Sequence, residues 1–187
     1  MSISTRARSS FAGPLSPEYV LLGLLARQPA HGYELHQKLS GDLGQVWRLS
    51  LSQVYNILNR LESQDLIAGE IEEQDKLPAR RRYHLTPDGR AHFENWLHAP
   101  TRSSGRAIRV EFTTRLYFAK AISPQLAHQL IDDQIAETRA GLIRLQNSLA
   151  DIPPGQVFNR LGTDLRLRQL ASILSWLDQC HTVIGGK

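Results

Sequence analysis

Residues 49–89 read LSLSQVYNILNRLESQDLIAGEIEEQDKLPARRRYHLTPDG, and this stretch decides the fold. In its first half, Val54, Leu58 and Leu61 recur at helical spacing and predict the buried stripe of a helix. In the second half, the spacing of apolar residues shortens from that of a helix to that of a β-strand. This pattern predicts two strands, LIAGEIEEQ and RRYHLT, which are joined by a hairpin tip, DKLPA, that contains a proline. The stretch therefore predicts a helix followed by a β-hairpin with basic residues clustered near its tip.

The predicted helix has a defined start and a polar outer face. Ser50 and Gln53 have the S-x-x-Q spacing of a capping box, in which each side chain bonds the backbone N–H of the other residue. The face opposite the apolar stripe carries small, uncharged side chains. It consists of Ser52, Asn56, Asn59 and Ser63, with Gln53 and Arg60 on one flank and Tyr55 on the other.

Two more helices are predicted before this stretch and one after it. LSPEYVLLGLLARQP begins with Ser16 as a cap and ends before Pro29, and HGYELHQKLSGDLG ends at Gly44. Thr86 is the expected cap of the helix that follows the hairpin. Three helices followed by a strand, a basic turn and a strand form a winged helix-turn-helix, whose third helix enters the DNA major groove.

This arrangement predicts double-stranded operator DNA as the partner. Asn and Gln can read adenine, and the planar fork of arginine suits phosphate. The residues expected to carry recognition on the third helix are Ser52, Gln53, Tyr55, Asn56 and Arg60. Those expected to carry backbone affinity in the wing are Lys76, Arg80, Arg81 and Arg82. The alternatives are a solvated helix face with a solubilising turn, or a winged-helix adaptor that binds protein and not DNA.

The C-terminal half is predicted to be helical. IRVEFTTRLYFAKAI reads as one helix, and a long second helix carries a leucine stripe that includes Leu126, Leu130 and Leu142. The last helix has the alternating three- and four-residue spacing of a coiled-coil seam. The predicted dimer interface is this seam, formed by Leu167, Leu170, Leu174, Leu177 and Ile184. The alternative is a bundle packed within one chain.

The fold class expected is mainly α with a small β-hairpin wing, an N-terminal winged helix-turn-helix and a C-terminal antiparallel helical dimerisation domain. Residues 1–14 are expected to be a disordered arm and residues 15–98 the DNA-binding domain. A linker over 99–107 leads to the helical domain, 108–187.

Composition limits the other functional classes. The formal charge is +4, but residues 1–100 carry equal numbers of acids and bases, so an argument for nucleic acid depends on the local basic cluster. One cysteine, Cys180, excludes an intrachain disulfide, and no histidine spacing suggests a metal site or other cofactor. Catalytic motifs are absent, so no enzyme is expected. Without a membrane span or signal peptide, we expect a soluble cytoplasmic protein.

Several of these segments together resemble the PadR family of transcriptional regulators. The resemblance is carried by HGYEL (31–35), LSLSQVYNILNRLESQDLI (49–67), ARRRYHLTPDGR (79–90) and WL (96–97), and more weakly by EFTTRLYF (111–118) and SWLDQC (175–180). It implies a homodimer of winged-helix domains that represses genes by binding an operator.

The resemblance also implies roles for individual residues. Tyr55 matches a tyrosine of the recognition helix, Tyr33 matches the aromatic position of HGYEL, and Arg80 to Arg82 match the basic wing. The chain departs from the family in having Leu-Ser-Gln at 51–53, where many members have Pro-Gly-Thr, and Asp65 where many have glycine. We therefore expect an operator that differs from the commonest ones.

Aromatic side chains suggest where an effector could bind. Trp47, Trp96, Phe112 and Phe118, with Tyr117, could line a cavity between the two domains that suits a flat, small aromatic ligand. Relatives that sense phenolic acids or drugs make this an implication of the resemblance. The alternative is ordinary core packing.

Overall fold

The computed structural model describes residues 16–74 and 77–185. The expected arm, residues 1–14, and Lys76 lie outside the described residues. The N-terminal elements are α1 (Glu18–Arg27), β1 (Ala30–His31), α2 (Gly32–Leu43), α3 (Leu51–Ser63), β2 (Ile67–Gln74), β3 (Leu77–Leu85) and α4 (Pro87–His98). The C-terminal elements are α5 (Gly105–Ala107), a π-helical segment (Ile108–Phe112), α6 (Thr113–Ile122), α7 (Pro124–Asp151) and α8 (Val157–Gly185).

The predicted starts of α3 and α4 are confirmed by their hydrogen bonds, whereas the cap predicted for α1 is wrong, because α1 begins at Glu18 with Pro17, and not Ser16, at its N-cap position. Ser50 Oγ accepts from the Gln53 N–H at 3.2 Å, and Gln53 Oε1 accepts from the Ser50 N–H at 2.8 Å. Thr86 Oγ1 accepts from the Gly89 N–H at 3.0 Å at the start of α4. These side chains satisfy N–H groups that a helix terminus leaves without partners, so the local sequence fixes where α3 and α4 begin.

The wing is part of a three-stranded antiparallel sheet with the order β1-β3-β2. The fold class is confirmed, but the sequence did not predict β1, which pairs Ala30 with Tyr83 and His31 with Arg82. The hairpin tip is also shorter than predicted, because β3 already begins at Leu77. Pro78, which has no N–H, lies in β3 where the register shifts between Glu72 and Gln74.

The turn between α3 and β2 places Asp65 in an unusual backbone conformation. Asp65 has a φ of 57°, in the left-handed region that favours glycine. Thr86 Oγ1 donates to the Asp65 carbonyl at 2.7 Å and holds this conformation.

A Cβ on Gly89 would lie 1.8 Å from the carbonyl oxygen of Leu66. Glycine at 89 therefore lets α4 pack directly against the start of β2.

Two hydrophobic clusters organise the described residues. The first contains residues of the elements from α1 through α4, together with Phe118 of α6. The second contains residues of α6, α7 and α8. Helix begins at Gly105, inside the stretch read as a linker, because Ser104 Oγ accepts from the Ala107 N–H. No helix within the described residues is long and apolar enough to cross a membrane.

The buried stripe of α7 differs from the predicted leucine stripe. Leu126, Leu130 and Leu142 are only half-buried. The positions buried along α7 are smaller or more polar: Ala127, Ile131, Gln134, Ile135, Thr138 and Gly141. The leucine stripe did not predict the buried face of α7. Small residues let the neighbouring helix approach closely, and the stripe that contains these small residues is therefore the one that is buried.

Candidate nucleic-acid interface

The outer face of α3 is exposed, as predicted. Ser52, Asn56 and Asn59 point away from the core, while Val54 and Leu58 are fully buried on the opposite side. The hydroxyl and amide groups of this face can hydrogen-bond base edges in a major groove. Because a polar, uncharged face adds no repulsion against phosphate, it is suited to close approach to DNA.

Two predicted recognition residues on α3 already have partners within the chain. Gln53 Oε1 accepts from Ser50 in the capping box, so only its amide NH₂ is left to donate outward. Arg60 forms an ion pair with Glu18, a buried carboxylate of α1. The structure thus places Arg60 between α3 and α1, where it holds the helix against its neighbour.

A groove between α2, α3 and β3 brings several predicted residues together. Its volume is about 380 Å³, and its lining is His31, Tyr33, Glu34, Tyr55, Arg80 and Arg81. The exposed fractions of Tyr33 and Tyr55 are 54% and 40%, which is high for tyrosine. A Cβ at Gly32 would lie 2.6 Å from the Tyr55 ring, so glycine here lets the tyrosine lie across α2. Sequence reasoning assigned no role to His31 or Glu34, although both lie in the HGYEL segment.

The three consecutive arginines face different surroundings because side chains alternate along β3. Arg81 Nη2 lies 2.6 Å from Glu62 Oε1, and its guanidinium lies 5.7 Å from the centre of the Tyr83 ring. Glu62 also accepts from the Gly69 N–H at 3.0 Å. A Cβ at Gly69 would lie 2.4 Å from Arg81 Nε, so this glycine makes room for the arginine. Arg81 therefore fastens the wing to the end of α3.

Arg82 and Arg80 lie on the opposite face of β3. Arg82 Nη1 lies 3.1 Å from Glu72 Oε1 on β2, and both groups are about half exposed. Arg80 is exposed, and within the described part of the chain it has no ion pair. Of the three cations, Arg80 is thus the one whose charge is not already neutralised by a described carboxylate.

The predicted effector residues do not converge on one cavity. Trp47 Nε1 donates to Thr114 Oγ1 at 2.8 Å, and Phe118 packs edge-on against Phe93. Phe112 and Phe118 line separate cavities of about 160 and 130 Å³. Trp96 lines a third, of about 310 Å³. The structure therefore distributes these aromatics through the core, as the packing alternative expects.

Arg115, which forms a buried ion pair beside Trp96, joins the C-terminal helices to the end of the winged helix. Arg115 Nη2 lies 2.7 Å from Glu111 Oε1, and both side chains are 2% exposed. Arg115 also donates to the Ala99 carbonyl and to Thr101 Oγ1, at the end of the winged helix. Burial raises the pKa of Glu111 and lowers that of Arg115, while each partner's charge opposes the shift of the other.

A second contact between the two regions uses Tyr117. Its hydroxyl donates to Asp42 Oδ2 at 2.6 Å and accepts from Arg27 at 3.0 Å. Burial, which is the larger cause, and the hydrogen bond to Asp42 raise the pKa of Tyr117 to about 12. The phenol is therefore protonated at neutral pH and holds α6 to α2.

Most of the predicted dimer seam packs within the chain. Leu170 and Leu177 are buried, and Leu174 and Ile184 pack against the cluster formed with α6 and α7. Leu167 is half-buried. This placement corresponds to the alternative, an intrachain bundle. A different face of α8 is exposed and apolar, and it carries Phe158, Leu161, Leu165, Trp176 and Val183.

Comparisons with known proteins cover both halves. Residues 21–95 match the profile of the "Transcriptional regulator PadR-like family", and residues 108–185 match "Virulence activator alpha C-term". The chain is 31% identical over 133 residues to the negative transcriptional regulator PadR of Bacillus subtilis, covering 70% of this chain and 71% of that protein.

A second relative and one solved structure are also similar to this chain. A probable transcriptional regulator of Mycobacterium tuberculosis is 25% identical over 100 residues, which span 52% of this chain and 53% of that protein. The crystal structure of Bacillus subtilis PadR in complex with operator DNA aligns with 89% of this chain and 98% of its own, at 28% identity and a TM-score of 0.43.

Proposed function

The chain belongs to the PadR-like family of transcriptional regulators, and on that premise we propose that it is a homodimeric repressor that binds a pseudo-palindromic operator. The observation that carries the proposal is the groove between α2, α3 and β3. It is lined by two exposed tyrosines, Tyr33 and Tyr55, and by Arg80, which forms no ion pair within the described residues, and Tyr55 flanks the polar face of α3. This combination suits a surface that meets both base edges and phosphates.

The residues divide into three roles. Ser52, Asn56 and Tyr55, with the free amide of Gln53, would meet base edges in the major groove. Arg80 would bind phosphate directly, with Tyr33 at the side of the groove and Lys76 as a second cation of the wing. Arg60, Arg81 and Arg82 would act first as the residues that hold α3 and the wing in place, since each has a carboxylate partner.

Repression is proposed from the similarity to Bacillus subtilis PadR, whose name is that of a negative regulator. A regulator that binds an operator acts in the compartment that contains the DNA. This agrees with the expected cytoplasmic location. Transcription from the regulated promoter, with and without the protein, distinguishes a repressor from an activator.

The test is titration of fluorescent DNA from the region upstream of this protein's gene, followed by anisotropy at several salt concentrations. We expect tight binding to a pseudo-palindrome, with log Kd rising steeply with log salt. A protein that does not bind this DNA or scrambled DNA at low salt would contradict the proposal and favour the protein-binding adaptor.

The dimer is proposed to form through the exposed apolar face of α8. Phe158, Leu161 and Leu165 follow each other at three- and four-residue spacing, and Trp176 and Val183 continue the same stripe. Phe158 is 87% exposed in the single chain. A stripe of this length is unusual on a monomer. Two winged helices joined in this way can read two half-sites related by a two-fold axis.

Replacing Phe158 and Leu165 together by glutamate is expected to dissociate the dimer, because two carboxylates would be buried without partners. Sedimentation velocity should then give the mass of one chain, 21.1 kDa. Asn159→Glu, which adds a charge beside the stripe, is the matched control and should remain dimeric. A Phe158→Glu/Leu165→Glu protein that keeps the wild-type mass would contradict this interface.

The proposal that a small aromatic ligand releases the protein from DNA is supported by fewer observations. The cavity beside Trp96 has a volume of about 310 Å³, at the lower limit for ligand pockets, and includes Tyr19, Arg102 and Arg115 in its lining. A ligand there could change the dimer geometry only by binding its forms with different affinity. Repeating the DNA titration with phenolic acids tests this, and an unchanged Kd for each would leave release by them unsupported.

A further inference from the structure

His31 lies where the wing meets the start of α2. It pairs with Arg82 across β1 and β3, and its own N–H donates to Glu34 Oε2 at 2.9 Å in the first turn of α2. The same residue lines the groove that carries Tyr33 and Tyr55. His31 therefore contacts both the wing and the proposed DNA surface.

The ring of His31 lies between two acceptors. Nδ1 is 3.0 Å from the carbonyl oxygen of Arg81, and Nε2 is 3.4 Å from Glu72 Oε2. A carbonyl and a carboxylate can only accept hydrogen bonds, whereas a neutral imidazole has one N–H. When Nδ1 donates to the carbonyl, a neutral Nε2 directs its lone pair at the carboxylate. Only the imidazolium form can satisfy both neighbours.

Protonation of His31 also changes the partners of Arg82. Arg82 bonds Glu72 through Oε1, and His31 faces the other oxygen, so one carboxylate can hold both cations. The charged and titratable groups around the ring come from every neighbouring element: Glu72 on β2, Arg80, Arg81 and Arg82 on β3, Tyr33 and Glu34 on α2, and Tyr55 on α3. Protonation adds one positive charge to this set at the mouth of the groove.

We propose that His31 is a positioning residue for the wing, and that its protonation raises the affinity for operator DNA. The inference rests on the proposed function. In the protonated form, His31 fixes β2 to β1 through Glu72 and offsets the charge of that carboxylate, which would otherwise repel phosphate. In the neutral form of His31, the ion pair that Glu72 retains among the described residues is the one with Arg82. Affinity is therefore higher when the His31 ring is protonated than when it is neutral.

The experiment measures the Kd for operator DNA between about pH 6 and pH 8, at fixed salt, the range in which histidine changes charge. The test variant is His31→Asn, because the asparagine amide can still donate to the Arg81 carbonyl and asparagine is a good helix cap. The matched control is His84→Asn. His84 is on the same sheet face, 3.9 Å from Glu70, but it lies within the hairpin and does not join it to β1.

For the wild type and His84→Asn, we expect binding on the order of threefold tighter at the low end of this range, the effect of one charge near DNA. His31→Asn should lose that difference. Glu72→Gln is a second variant that leaves His31 in place. It should bind more tightly than wild type at the high end of the pH range, because the carboxylate that repels phosphate is gone. Circular dichroism checks that each variant is folded.

Full pH dependence in His31→Asn, or none in the wild type, would overturn the inference while leaving DNA binding intact. Absence of binding by the wild type at every pH would overturn the proposed function together with this inference. The two failures are thus distinguished by the wild-type titration alone.

Discussion

Alanine at Arg80, Arg81 and Arg82 together is expected to weaken binding to operator DNA by about 30- to 100-fold near physiological salt. The variant removes three cations from the wing and leaves Glu62 and Glu72 without their described arginine partners. The slope of log Kd against log salt should become shallower, by about 0.9 for each phosphate that the wing no longer neutralises. The measurement is anisotropy of labelled operator at four or more salt concentrations.

The single variants are expected to separate two kinds of effect. Arg80→Ala removes a direct phosphate contact, so both the affinity and the salt slope should fall. Arg81→Ala releases the wing from Glu62 and exposes that carboxylate. It should lower affinity with a smaller change of slope, because the weaker binding comes from wing position and added repulsion. Arg82→Ala should resemble Arg81→Ala, through Glu72.

A matched control is available on α7. Arg144 is 62% exposed and pairs with Glu137, so Arg144→Ala removes one cation and one surface ion pair without touching the wing. Its operator affinity should match that of the wild type. Equal affinity of the triple variant and wild type at every salt concentration would mean that the wing does not contact DNA. Equal losses of affinity in Arg80→Ala and Arg144→Ala would point to net charge alone.

The N-terminal fold could be predicted from sequence because its signals are local. The capping box at Ser50 and Gln53, the cap at Thr86 and the apolar stripe of α3 each act within one or two turns, and all three are present in the structure. The two-residue strand β1 could not be predicted, since Ala30 and His31 form it only by pairing with β3.

The partners of the charged residues could not be predicted, because they depend on distances between elements. The arginine triplet looked uniform in sequence, but Arg81 is bonded to α3 and Arg82 to β2. Arg60 looked available on the helix flank, but α1 supplies Glu18. Residue types alone predicted a DNA-binding surface, whereas the ion-pair partner of each of these arginines became clear only from the packing.

The C-terminal helices show that regularly spaced leucines do not by themselves predict which surface a helix face packs against. On α8, the regularly spaced Leu170 and Leu177 pack against the chain's own helices. The exposed stripe is interrupted between Leu165 and Trp176 and is less regular in sequence. Both faces of α8 are apolar, so periodicity alone did not determine which one packs against the chain's own helices. In the structure, the face that carries Leu170 and Leu177 is the buried one.

Replacing Arg115 by methionine is expected to destabilise the protein by about 3–5 kcal/mol. Methionine retains much of the apolar contact with Trp96, whose ring centre lies 5.0 Å from the guanidinium. The destabilisation comes from Glu111, which is 2% exposed and would remain buried without its cation. Thermal unfolding at one fixed protein concentration should show a fall in Tm on the order of 10 °C.

Two comparisons separate this effect from simple loss of packing. Glu111→Leu/Arg115→Met removes both charges and is expected to recover most of the stability, since replacing a whole buried pair is often neutral. Arg144→Met breaks an exposed pair and should cost less than about 1 kcal/mol. A double variant as unstable as Arg115→Met would show that shape at this junction matters more than charge.

The pH dependence of Arg115→Met provides an independent check on the buried carboxylate. Burial raises the pKa of Glu111, and the charge of Arg115, followed by that of Arg102, opposes the rise, so removing Arg115 takes away the larger of the two opposing charges. The folded variant then binds a proton at Glu111 more tightly than the unfolded chain does, so its stability increases as pH falls and is lost as pH rises through the folded-state pKa. The difference in unfolding free energy from wild type should therefore shrink between about pH 7 and pH 5. In Glu111→Leu/Arg115→Met this dependence should be absent, because the carboxyl that titrates is gone.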